Sequence, residues 1–250
     1  MTRARRAWAY LARTVEGPHP SLNVLLGEVG PEEAAERIKR RVGLPRDLAG
    51  ATETRYHRDQ SDEDLAAAER HGFRLVTPED DEWPVDAIQQ FLGSTATGPE
   101  AAPPHALWVR GGELGPLFDD SVAMVGTRAA TSYGTRTTER LAAGVARAGA
   151  TIVSGGALGV DAVAHRTALE VGGRTVVVAA CGPGVDYPVS HVDLFRRIGA
   201  TGENGAIVTE YPPGVRPARH RFLTRNRLVA GLTGDDRDRK SGSAGMPRPI

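Results

Sequence analysis

The spacing of apolar positions divides the chain into segments of different period. Over residues 1–70 they recur at helical intervals: Trp8, Leu11 and Val15, then Leu22, Leu25 and Leu26, then Ala35, Ile38 and Val42. The run "GPEEAAERIKRRVG" adds Pro31 in a first turn, early acids, late bases and a terminal Gly43, the marks of a well-bounded helix. These features predict a small helical N-terminal domain over 1–70. Residues 71–118 read as an extension or linker with short strands. "FRLVTPEDDEWP" (73–84) predicts a strand and a turn, "GSTATGPEAAPP" (93–104) a loop, and "ALWVRG" (106–111) a second strand.

From 119 onward strands and helices alternate. "SVAMV" predicts a buried strand, and "ATIVSGG", "RTVVVAACG" and "GAIVTEYPPG" each predict a strand running into a turn. Helices are predicted over 135–147, 158–171, 192–198 and 222–230. That alternation predicts an α/β fold, a Rossmann-like parallel sheet with crossover helices over 119–233.

Composition narrows the class without choosing a function. The chain has 250 residues, 40% hydrophobic and 25% charged, enough for one large domain with a small appendage. No apolar run approaches the roughly 18 residues of a membrane helix, and "MTRARRAWAYLARTVEG" lacks the apolar core of a secretory signal. The cytoplasm is therefore the expected compartment, with no membrane partner. The single cysteine, Cys181, excludes an internal disulfide and a cysteine metal cluster. A formal net charge of zero argues against a surface that is basic throughout, but it allows a local basic patch. All but two of the 31 basic residues are arginine, which forms bidentate phosphate contacts that lysine cannot; a GC-rich genome would give the same bias.

In sheets of this kind ligands bind outside the carboxyl ends of the strands. The four predicted strands end in Gly126-Thr127-Arg128, Ser154-Gly155-Gly156 (leading to Gly159), "CGPGVDYP" (181–188) and "EYPPG" (210–214). A glycine-rich turn entering a helix is suited to an anion. The usual cofactor cradles do not fit. No lysine lies between 40 and 239 to complete a P-loop, "GTRAAT" lacks the later glycines of a dinucleotide fingerprint, and Tyr187 stands where "CGPGVDY" would need its third glycine. No cofactor and no metal site are expected.

Asp161 and His165, four apart on one helix, read either as an acid–base pair or as a helix N-terminal acid and a packing histidine. Cys181 reads either as a thiolate near a helix start or as a small buried residue. The strongest charge signal is 211–234, which holds Arg216, Arg219, Arg221, Arg225 and Arg227 and no acid. It predicts a phosphate track on the rim of the glycine loops. Tyr187, Tyr211 and Phe222 could offer faces to unstacked bases, though Tyr211 and Phe222 serve equally well as packing.

The segments "SVAMVGTRAATSYG", "TIVSGGALGVDAVAH", "CGPGVDYP", "TEYPPG" and "RFLTRNRLVAGLT", led in by "LVTPEDDEWP" and "ALWVRG", resemble the DprA/Smf family of DNA-processing proteins over about 20–233. The resemblance implies a non-catalytic protein that binds single-stranded DNA on an extended Rossmann domain, dimerises, and loads a RecA-type recombinase in natural transformation. Carried over by motif, it assigns the phosphate pocket to Gly126, Thr127, Arg128, Ser154, Gly155, Gly156 and Gly159, with Arg221, Arg225, Asn226 and Arg227. Leu158 stands where many relatives carry Arg or Tyr, and Pro183 removes one N–H donor. Two other readings compete. One is a nucleotide-processing enzyme of the phosphoribohydrolase type, although "PGVDYPVSH" lacks that group's glycine pair and glutamate. The other is an inactive remnant.

The tail "GDDRDRKSGSAGMPRPI" cannot form the apolar strand that follows "RNRLVAGL" in the family. Reading Gly234 to Arg239 one base later permits "ATIVIE". The expectation is a frameshift near codon 234 that removes the C-terminal part of the Rossmann domain, leaving 234–250 as a disordered tail. On a Rossmann strand order this would strip the fourth strand of its outer neighbour and remove the dimer surface.

Overall fold

The computed structural model describes residues 2–92 and 102–233. Most of the loop expected at 93–104 and the whole tail from 234, with the shifted strand proposed for it, lie outside the described residues. The chain opens with α1 (Arg3–Val15), α2 (Pro20–Arg40), α3 (Arg46–Thr52) and α4 (Ser61–Arg70). Thr2 caps α1, its side chain accepting the Arg5 N–H at 3.2 Å. The helix foreseen from Pro31 is the second half of α2. Gly30 takes a left-handed φ of 73° and breaks the helix, and Pro31, which has no N–H to lose, restarts it. Arg41, with φ 59°, forms the C-cap, and Gly43 takes up a second left-handed position beyond it.

Six strands form one sheet in the order β1-β2-β6-β5-β4-β3. They are β1 (Arg74–Val76), β2 (Leu107–Gly111), β3 (Ser121–Ala123), β4 (Thr151–Ser154), β5 (Thr175–Val178) and β6 (Gly205–Thr209). β3 to β6 run parallel, while β1 and β2 are antiparallel additions, β2 pairing Trp108 with Thr209 and Gly111 with Ala206. The short strands of 71–118 thus extend the main sheet rather than standing apart as a linker.

The crossovers α7 (Ser132–Arg147), α8 (Val160–Glu170) and α9 (Val192–Gly199) connect successive parallel strands. Right-handed connection puts them on one face. Trp108, Val177 and Ile207 point to that face and pack with Ala162, Leu194, Phe195 and Ile198, and the N-terminal helices add Leu11, Leu22, Ile38 and Leu48 to the same core. The opposite face carries Leu107, Val109, Val176, Val178 and Val208 under α5 (Val85–Leu92), α6 (Leu114–Phe118) and α10 (Arg219–Gly231). Val176, Val177 and Val178 therefore serve both faces by strand alternation, which explains the unbroken apolar run.

The strand order corrects one expectation. β6 does not lie beside β3 with a bare flank, because β5 and β2 enclose it. The open edge belongs to β3, whose pairing among the described residues is with β4 alone. "SVAMV", expected to be buried, is consequently a half-exposed edge: Val122 is 39% and Val125 63% exposed. Among the described residues no helix is long and apolar enough to cross a membrane.

Candidate nucleic-acid interface

The loops after β3, β4, β5 and β6 meet on one rim, and glycines form the seams between them. Gly159, at φ 80°, lies against the Thr127 carbonyl, which also accepts the Val160 N–H at 3.2 Å. A Cβ on Gly126 would stand 2.7 Å from Val160 Cγ2, and one on Gly156 2.9 Å from the Phe195 ring. Gly182 abuts the Pro212 carbonyl and donates its N–H to Val215 O at 2.9 Å, while Gly214 donates to Pro183 O at 2.9 Å. Gly126, Gly155, Gly156, Gly159 and Gly182 thus serve close packing more than backbone access for a ligand, whereas Gly214 has open space around it and is set by its left-handed φ of 77°. Pro183 contributes through its carbonyl.

Between the loops lies a cleft lined by Arg128, Gly155, Leu158, Tyr187, Pro217 and Phe222. The Arg128 guanidinium stands 5.4 Å from the Phe222 ring centre, and the Tyr187 ring centre is 5.5 Å from that of Phe222, the two rings tilted by 52°. Arg128 is exposed and enters no ion pair among the described residues. Thr127 is exposed beside it, its hydroxyl accepting the Ala129 N–H at 3.2 Å. Ser154 is wholly buried beneath the turn, its hydroxyl without a hydrogen-bond partner among the described residues.

The arginines of α10 do not act as one patch. Arg225 is buried directly behind the turn: its Nη1 donates to Val178 O at 2.7 Å, and a Cβ on Gly155 would overlap its guanidinium. Burial holds its pKa below the usual arginine range, opposed by the nearby Asp161 carboxylate. Arg227 points to the other side of the helix, ion-paired to the fully buried Glu210 and stacked 5.5 Å from Phe91. Arg221 grips Glu16 (Nε to Oε1 at 2.9 Å) and donates Nη1 to Arg216 O at 2.6 Å, tying α10 to the end of α1. Asn226 is exposed on α10. Of the expected cations, Arg128 is the one that opens onto the cleft. A signal was available: on a helix, residues two apart such as Arg225 and Arg227 project about 200° apart and cannot share a face.

The candidate reactive groups are already engaged. Asp161, in the first turn of α8, accepts the Ala157 N–H at 3.2 Å, so the protein supplies its own anion at that helix start. His165 is buried and bonds Thr175 Oγ1 at 2.7 Å through Nδ1, and burial lowers its pKa to about 3. This is the packing histidine of the two readings. Burial pushes the Cys181 thiol up to about 11, and its Sγ donates to Val185 O at 3.0 Å, the small-buried-residue reading. No cluster among the described residues could hold a metal ion.

The sheet and rim define a class first: a Rossmann-like α/β protein, extended by antiparallel strands, with a cationic, aromatic-edged cleft at the carboxyl ends of its parallel strands. Comparison with known proteins makes it specific. The family model for DNA recombination-mediator protein A matches residues 74–236. A Mycobacterium tuberculosis protein assigned the name DNA processing protein DprA is 49% identical over 91% of this chain, and the match covers 58% of the relative's length. Protein Smf of Escherichia coli is 39% identical over 52% of this chain and 34% of its own. The crystal structure of DNA processing protein A from Streptococcus pneumoniae superposes with a TM-score of 0.69 at 26% identity, covering 93% of this chain and 76% of that one. DNA processing protein A from Helicobacter pylori, whose structure was described for its single-stranded DNA binding mode, gives 0.52 at 34% identity over 65% and 67%. The chain belongs to the DNA recombination-mediator protein A family, DprA/Smf. It spans a little over half the length of the Mycobacterium relative.

Proposed function

We propose that the protein binds single-stranded DNA in the Arg128 cleft and delivers it to a RecA-type recombinase in the cytoplasm, during natural transformation or related recombination. The observation that carries this reading is the exposed Arg128, without an ion pair among the described residues, lying over Phe222 with Tyr187 alongside. A cation next to part-exposed aromatic rings suits a phosphate whose bases are free to stack, which a duplex does not offer. The Helicobacter relative, described for single-stranded DNA binding, supports the same assignment. Binding rather than turnover is favoured because Asp161, His165 and Cys181 are each held by protein partners.

Fluorescence anisotropy with labelled oligo-dT and with duplex tests the binding. The expected result is salt-sensitive, single-strand-preferring association that Arg128→Ala weakens about tenfold or more. Equal affinity for duplex, or an unaffected Arg128→Ala variant, refutes it. Recombinase delivery is read separately, as faster filament formation by a RecA-type protein on DNA precoated with single-strand-binding protein. No acceleration refutes that part.

A further inference from the structure

We infer that the DNA path does not end at Arg128 but continues along α8, where Arg166 holds a second phosphate. The inference rests on the single-stranded DNA reading above. Arg128 has two sides. One faces the cleft; the other faces a shallow groove over the start of α8, bordered by Thr135, Gly159, Ser190 and Arg166. Among the described residues no Asp or Glu lines this groove. His191 also borders it but is buried, with Nδ1 3.0 Å from the Gly156 carbonyl, so the charges offered to a ligand are the two arginines.

Arg166 is exposed and enters no ion pair among the described residues, even with Glu170 one turn further along the helix. Seven residues separate it from Gly159, which abuts the Arg128 backbone. On an α-helix that spacing returns to within about 20° of the same face and advances about 10 Å. Helical side chains lean toward the N-terminus, so the Arg166 guanidinium leans back toward Arg128. A stacked strand places a phosphate about every 3.4 Å, so a gap of this size spans more than one nucleotide and the two arginines meet different phosphates. Thr135 and Ser190 supply hydroxyl donors between them.

The test uses the full chain and oligo-dT of about 4 and about 16 nucleotides, lengths that bracket what one compact single-strand site covers. Affinities are measured across a salt titration for Arg166→Ala, Arg128→Ala and Arg147→Ala. Arg147 is an exposed arginine at the far end of α7 and controls for general loss of charge. Arg166→Ala is expected to bind the short oligomer as wild type and the long one several-fold more weakly. Its salt slope on the long oligomer should fall by about 0.7, the signature of one lost single-strand phosphate contact. Arg147→Ala should leave both unchanged. If Arg166→Ala matches wild type at both lengths while Arg128→Ala loses binding, the second phosphate site is overturned and the cleft reading stands. Equal weakening at both lengths with an unchanged slope also overturns it. If Arg128→Ala binds normally, the DNA reading itself fails.

Discussion

Arg227 belongs to the "RNR" run that sequence alone places at the phosphate pocket, yet it is ion-paired to Glu210 with both side chains almost wholly excluded from water. Replacing it with Ala leaves the Glu210 carboxylate without its counter-charge in a site where burial already pushes its pKa up. Breaking a buried pair from one side costs about 3–5 kcal/mol, which for a chain of this size lowers Tm by roughly 6–20 °C. The cost has a pH signature. A carboxyl whose folded pKa is raised is best tolerated when protonated, so the deficit of Arg227→Ala should shrink as pH falls toward the ordinary carboxylate range and grow as it rises. Arg227→Met combined with Glu210→Leu removes both charges at once and should recover most of the loss. Urea denaturation across pH, read by circular dichroism, measures all three variants, and anisotropy on the double variant should show near-normal DNA affinity. An Arg227→Ala protein with wild-type stability but weakened DNA binding would refute this assignment and return Arg227 to the interface.

Two further outcomes follow from neighbouring groups. Gly155→Ala should destabilise by about 1–3 kcal/mol, because its Cβ displaces the Arg225 guanidinium from Val178 O; an unchanged melting temperature would mean that Arg225 is not packed behind the turn. His165, held neutral with a folded pKa of about 3, binds fewer protons than it does in the unfolded chain. Stability should therefore decline as pH falls below about 6.5, and an imidazole NMR signal that titrates near that value would contradict the burial.

Much of the architecture was legible because the pattern is local. The valines of β5, the Gly30-Pro31 break and the glycine loops after each strand are all written within a few residues. The neighbours of β6 were not legible. Its "GAIVT" run is apolar on both faces in either direction of pairing, so nothing in it distinguishes an antiparallel β2 from a parallel β3. The site was half legible for a similar reason. The motif loops do meet on one rim, with Arg128 lining its cleft, but counting arginines along 216–227 ignored the direction each takes from its helix. Arg221 went to Glu16 and Arg227 to Glu210, contacts to segments far away in the chain. Arg166, the residue proposed above for a second phosphate, lies seven residues beyond the glycine turn, outside any motif window but on nearly the same helical face.

The pairing of β2 with β6 also sets an order of assembly. Trp108 meets Thr209 in the sheet, so at a synthesis rate of about 5–20 residues per second β2 leaves the ribosome roughly 5–20 s before its partner. During that wait β1 and the N-terminal helices can already shelter one side of β2, through Trp108, while on the other side Leu107 and Val109 have Val76, Trp83 and α5 at hand and gain the rest of their cover from later elements. The N-terminal helices thus have a role in time as well as in space, protecting a strand whose sheet has yet to be made.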